Sequence, residues 1–144
     1  MSMPNRKLTT VILDDDPGIV RLVKTILRGT FGEELVLHDF TDVHEAQEWI
    51  SNNCCDLLIS DIEMPDINGM DMLVYAKHRN AWTQVVFLTG HSNWMLVTEA
   101  VEKGASDFLL KPIKREELCS IVQQHIDRAA RWQAALFTKH HSMS

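Results

Sequence analysis

The chain has 144 residues, 45% of them hydrophobic and 24% charged, the size and composition of one ordinary globular domain. That balance excludes a collagen-like repeat, an intrinsically disordered chain and a disulfide scaffold. Fourteen Lys and Arg against twenty Asp and Glu leave a formal charge of -6, which argues against direct nucleic-acid contact.

Residues 9–14 (TTVILD) read as a short β strand that closes on acid. Ile19, Leu22, Val23, Ile26 and Leu27 then recur at helical spacing, with Arg21, Lys24 and Arg28 on the other face. A second apolar run occupies 34–38 (ELVLH). Asp42, with Glu45 three residues on, has the pattern of an N-cap opening a helix that buries Val43, Ala46 and Ile50. A third run at 56–60 (DLLIS) leads into DIEMPDING, where Pro65 and Gly69 mark a loop. Next come a helix from about Met70 to His78, a fourth run at 85–88 (VVFL) and a helix near 93–103 stopped by Gly104. A fifth run at 107–110 (DFLL), Lys111-Pro112 and a last helix from about Arg115 complete the pattern.

Five βα units predict a doubly wound α/β sandwich around a parallel sheet covered on both faces. Right-handed crossovers place every strand's carboxyl end on one edge, where ligands of such folds bind. Asp14-Asp15-Asp16-Pro17, Asp61, Thr89-Gly90 and Lys111-Pro112 all fall at strand ends, so the topology brings them to one patch. Carboxylates crowded together repel each other and either rise in pKa or demand a cation. Oxygen-only ligands suit a hard ion such as Mg2+, which accepts a few carboxylates, waters and a phosphoryl oxygen. Lys111 and Thr89 are suited to a transferred phosphoryl group, and a carboxylate can itself be the nucleophile that forms an aspartyl phosphate.

Between Glu33 and Ala76 there are eleven carboxylates and no Lys or Arg, whereas from Lys103 onward seven bases face four acids. Cys54, Cys55 and Cys119 form no CxxC pair and read as thiols in a reducing compartment. The start, MSMPNRKLTT, lacks a signal-peptide core and no run has membrane-spanning length, so a cytoplasmic protein with no membrane contact is expected.

The segments VILDDDP, DLLISDIEMPDINGMDML, VVFLTGHS and GASDFLLKPI resemble the receiver domain of two-component response regulators, in order and spacing, over roughly residues 7–126. The resemblance implies a five-stranded parallel sheet of flavodoxin-like order 2-1-3-4-5. It makes Asp61 the phosphoacceptor and Asp14 and Asp15 the acidic pair, Asp15 as a direct Mg2+ ligand and Asp14 through water. The backbone carbonyl of Glu63 becomes the third protein ligand, and Thr89 and Lys111 the phosphoryl-binding hydroxyl and ammonium. Asp16 occupies an often-acidic position that is not a principal ligand. Phe108 matches the aromatic that turns inward behind the Thr89 hydroxyl on activation, repacking the surface of helix 4, strand 5 and helix 5. Glu63 and His91 match positions that tune phosphoryl lifetime. The implied phosphodonor is a sensor histidine kinase or a histidine phosphotransfer protein.

Simpler readings compete at several positions. Phe108 alone reads as a core aromatic, and Arg21, Lys24 and Arg28 as a solvated face rather than a kinase-docking surface. The four tryptophans read as packing residues, with Trp94 also placed to touch a partner at the switch helix. In the last helix Leu118, Val122, His125, Ala129, Trp132 and Leu136 keep a four-three spacing beyond the expected end of the domain. That stripe suits a docked tail, a linker to an absent output domain or a homodimer seam. The expected division is thus an extension at 1–6, the receiver at 7–126 and a helical extension at 127–144.

Two other functions fit parts of the pattern. Asp14-Asp15-Asp16 contains the DxD of a haloacid-dehalogenase-type Mg2+ phosphatase, but Gly18 stands where that family's DxDxT needs Thr. A phosphorylation-independent interaction module of receiver architecture would lack part of the acid pair, the acceptor or the Lys, and none is missing.

Overall fold

A computed structural model describes residues 7–64, 68–90 and 94–142, the last six of these as backbone only. His91, Pro65 and Asp66 lie outside the described residues. Five strands alternate with five helices: β1 Leu8–Leu13, α1 Pro17–Phe31, β2 Leu35–Phe40, α2 Val43–Asn52, β3 Leu57–Asp61, α3 Gly69–Arg79, β4 Gln84–Thr89, α4 Trp94–Glu102, β5 Asp107–Leu110 and α5 Arg115–Ser142. The strands form one parallel sheet in the order β2-β1-β3-β4-β5. This is the doubly wound sandwich that the alternating periodicity predicts.

Side-chain alternation along the strands divides the core between two faces. Ile12, Ile59, Val86 and Leu109 pack with Val23 and Leu27 of α1 and Leu118 and Val122 of α5. Val11, Leu58, Val85 and Phe87 pack with Ala46 and Ile50 of α2 and with Met72, Leu73 and Ala76 of α3. Central β3 is buried along its whole length, which explains why its sequence is a continuous apolar run rather than an alternating one.

The helix signals act largely as expected. Asp42 caps α2 by accepting the His44 N–H at 2.8 Å, and Val43, Ala46 and Ile50 are buried. The buried stripe of α1 is rotated from the expected one. Val20, Val23, Ile26, Leu27 and Phe31 face the core, while Leu22 is 41% exposed. The cause is a stripe that starts at Val20 and steps through Val23, Leu27 and Phe31, leaving Leu22 on the rim. Lys24 is not simply solvated either: its Nζ lies 3.0 Å from Asp39 Oδ1 on β2.

Phe108 corrects a second expectation. It is 39% exposed rather than a core aromatic, because β5 is an edge strand and only Leu109 within it is buried. The last helix runs unbroken to Ser142. Its first half seals the sheet through Leu118 and Val122, and Trp132 then meets Trp82 edge to face at 5.7 Å. Among the described residues no helix is long and apolar enough to cross a membrane.

Candidate functional site

Strand register builds the site. Leu13 pairs with Ser60, Asp61 with Leu88 and Thr89 with Leu110, so the carboxyl ends of β1, β3, β4 and β5 finish together. Asp14, Asp61, Thr89 and Lys111 are the residues at those ends. The structure therefore brings together all four groups that the topology predicts would converge.

Asp14 is fully buried. Its Oδ1 accepts the Asp16 N–H at 2.9 Å, and its Oδ2 lies 2.8 Å from Lys111 Nζ. That close ion pair is what the buried Oδ2 has for a partner. Asp61 sits beside it, with Oδ1 accepting the Glu63 N–H at 3.3 Å and standing 3.6 Å from Lys111 Nζ. Burial, then the nearby Asp14 charge, push the Asp61 carboxyl up to about 6, with Lys111 pulling the other way. Burial alone would lower the Lys111 ammonium, but the Asp14 and Asp61 carboxylates outweigh it and raise the pKa. One cation between two crowded carboxylates is what keeps this cluster charged.

Asp15 is exposed at the mouth, and one oxygen each from Asp14, Asp15 and Asp61 lie within 4.8 Å of one another. Among the described residues no imidazole or thiolate joins this set. An all-oxygen donor set of three crowded carboxylates fits a hard divalent cation. Glu63 has an exposed side chain, and its N–H is the group turned to Asp61. Thr89 is buried at the end of β4, and its carbonyl accepts the Lys111 N–H at 2.8 Å, which ties β5's end to the site. A Cβ on Gly90 would meet nothing within 4 Å among the described residues.

Two residues matter here in ways the sequence pattern did not announce. Asp16 is the N-cap of α1, accepting the Gly18 N–H at 2.8 Å, and so fixes the turn that carries Asp14 and Asp15. Its spacing before Pro17 is the signal that identifies such a cap. Gly69 is the first residue of α3 rather than a loop glycine, and a Cβ there would stand 2.6 Å from both the Asp61 carbonyl oxygen and Ile62 Cα. Glycine lets the start of α3 press against the backbone that holds Asp61.

Behind Thr89 lies a cavity of about 160 Å3 between α4 and β5, bordered by Phe87, Ala100 and the exposed ring of Phe108. Trp94 and Met95, at the start of α4, are 80% and 82% exposed, so that end of the helix presents large apolar side chains to solvent.

Known proteins agree with this architecture. Response regulator protein TodT of Pseudomonas putida is 26% identical over 121 residues, covering 84% of this chain and 52% of TodT. Response regulator protein PilR of Pseudomonas aeruginosa is 31% identical over 113 residues, 78% of this chain and 24% of PilR. The chain thus spans about half or less of the length of these relatives. Among solved structures, a response regulator receiver domain protein from Clostridium thermocellum superposes with a TM-score of 0.79 at 25% identity, covering 87% of this chain and 98% of its own. A CheY-like receiver domain protein from Methanospirillum hungatei shares the fold with a TM-score of 0.79 at 21% identity, covering 88% and 98%. The sequence profile of the response regulator receiver domain matches residues 10–123, and with that match the chain belongs to the receiver-domain family of two-component signalling.

Proposed function

We propose that this domain is a phosphorylation switch whose acceptor is Asp61, fed by a phosphohistidine on a sensor histidine kinase or a histidine phosphotransfer protein. The observation that carries the reading is the Asp61 carboxylate at the β3 end, 3.6 Å from Lys111 and walled by buried Asp14. With its pKa near 6, Asp61 is mostly ionised at neutral pH and is free to attack phosphorus. A new Asp61 oxygen–phosphorus bond forms as the donor's nitrogen–phosphorus bond breaks, and the donor imidazole keeps the electron pair.

Receiver domains bind Mg2+ at an acidic Asp cluster, and here Asp15, Asp61 and the Glu63 carbonyl would hold it directly, with Asp14 acting through water. Bound Mg2+ supplies charge neutralisation at the phosphoryl oxygens. Lys111 and the Thr89 hydroxyl are the chain's own contributions to that neutralisation. Phosphorylation adds about 1.5 to 2 negative charges in one step, enough to draw both groups toward Asp61. Movement of Thr89 opens its side of the 160 Å3 cavity to Phe108, whose ring is exposed and has no phenolic hydroxyl to anchor it outward. Burying that ring changes the α4–β5–α5 surface, where an output domain, a partner protein or a second copy would read the state. The extension of α5 beyond residue 126 fits a link to such an output module. In this reading the domain is no enzyme beyond its own phosphoryl transfer and slow autodephosphorylation.

The test is incubation with acetyl phosphate and Mg2+, followed by intact mass. A single phosphoryl adduct that disappears in Asp61→Asn supports the switch. No adduct on the folded protein indicates a phosphorylation-independent interaction module. Rapid turnover that stops in Asp14→Asn but survives in Asp61→Asn indicates a phosphatase of the haloacid-dehalogenase type.

A further inference from the structure

The opposite end of the sheet, at the amino ends of the strands, carries a second recess that phosphoryl chemistry does not use. Its volume is about 690 Å3, within the range typical of small-molecule sites. The end of α3 and the turn into β4 form one wall, and the second half of α5 forms the other.

Two features define its chemistry. Trp82 and Trp132 meet at 81° with ring centroids 5.7 Å apart, yet remain 63% and 49% exposed. The edge of one ring covers a face of the other, and both rings still leave much of their surface open at the recess. Lys77 and Arg128 bring positive charge to the same recess, and neither makes an ion pair among the described residues. Burial, then the charge of Arg128, lower the Lys77 pKa, as expected of cations without an anion between them. Asp56, also in the lining, is engaged by the Thr9 N–H at 2.8 Å. His125 adds no third charge, because burial lowers its pKa against the pull of Asp107. Its Nδ1 is buried without a hydrogen-bond partner. Gly104, at φ +102, passes 3.4 Å from Lys77 Cε at the position a Cβ would take, so glycine there gives the Lys77 stem its room.

We propose that this recess binds a planar aromatic anion, its ring against Trp82 and Trp132 and its charge on Lys77 and Arg128. The site is independent of phosphorylation at Asp61 and lies at the other end of every strand.

The test titrates the full chain with 2-naphthoate while following the tryptophan indole N–H signals by NMR, with 2-naphthylmethanol and inorganic phosphate as comparisons. Saturating shifts at Trp82 and Trp132, with Trp94 unmoved, are expected. The neutral alcohol and phosphate should each bind about tenfold more weakly or worse. Lys77→Gln with Arg128→Gln should weaken naphthoate about tenfold and leave the alcohol unchanged. Removing both neighbouring positive charges relieves their mutual repulsion, so the double variant should fold as the parent does. Asp61→Asn should bind naphthoate as the parent does, which keeps this result separate from that of the acceptor. Absence of saturation, equal binding of the alcohol or of phosphate, shifts centred on Trp94, or indifference to the double substitution would each overturn the proposal.

Discussion

Neutralising Asp61 should stabilise the domain, and the size of the gain follows from its burial beside Asp14. The carboxyl titrates near 6 in the folded protein against an ordinary 3.8. Two pH units at about 1.4 kcal/mol each give roughly 3 kcal/mol as the cost of the charged form at neutral pH. The sign follows from proton counts. Between the two pKa values the folded state holds the Asp61 proton more tightly than the unfolded chain does, so this group's contribution falls as pH rises. The penalty is absent below about pH 3.8, grows to full size above about pH 6, and stays there. Asp61→Asn removes it, although the amide also takes one anion away from Lys111, so about 2 kcal/mol is the expected net gain at pH 8. Urea denaturation in EDTA, followed by far-UV circular dichroism at pH 8 and pH 4, measures this directly. The variant should be more stable at pH 8 and indistinguishable from the parent at pH 4. A variant that is neutral or destabilised at pH 8, or equally stabilised at both pH values, refutes the electrostatic account of the site.

Other substitutions probe the parts that hold the site. Gly69→Ala places a methyl against the Asp61 and Ile62 backbone and should cost about 1–3 kcal/mol in urea denaturation, with slower phosphorylation by acetyl phosphate. Asp16→Ala removes the α1 cap and should cost about 1 kcal/mol, while Asp16→Asn should retain most of that stability. Lys111→Met strips the cation from two crowded carboxylates. It should lower stability by about 2 kcal/mol at pH 8, and most of that loss should return in the double variant with Asp61→Asn. Trp132→Ala should cost only about 1 kcal/mol, read as a small shift in the urea midpoint, because its contact with Trp82 is a single edge-to-face pair at the surface.

The site was legible in the sequence because a parallel sheet converts chain order into position. Once VILD, DLLISD, VVFLT and DFLLK are strands, their last residues must share an edge, whatever the details of packing. What escaped the pattern depends on neighbours far away in sequence. The pairing of Lys24 with Asp39 joins α1 to β2, and nothing local marks either residue. Trp82 and Trp132 meet across fifty positions, only because α5 outruns the sheet. Phe108 reads as a core residue in the sequence because FLL continues the apolar character of the other strands. Strand β5 is an edge in the expected order as in the observed one, and its apolar run alone does not show that Phe108 stays 39% exposed there. Leu22 and Val20 exchange roles for a similar reason, since adjacent stripes on α1 share Val23, Ile26 and Leu27 and the docked rotation decides between them. Gly69 needed coordinates, because a glycine after Pro and Asn signals a turn equally well whether or not a backbone presses on it.

The uneven charge of the chain is accounted for in part by this geometry. Within the stretch that lacks Lys and Arg, Asp61 stands at the site and Asp39 pairs with Lys24. Asp42 caps α2, and Asp56 holds the Thr9 N–H. Lys111, from the more basic C-terminal part, supplies the counter-charge.

The most direct measurement of the central claim locates the phosphoryl group. After brief exposure to acetyl phosphate and Mg2+, borohydride reduction converts an acyl phosphate to an alcohol that peptide mass mapping can place. The account predicts reduction at Asp61 alone, abolished by omitting the phosphodonor. Reduction at Asp14 or Asp15, or no reduction at all on the folded protein, would contradict it.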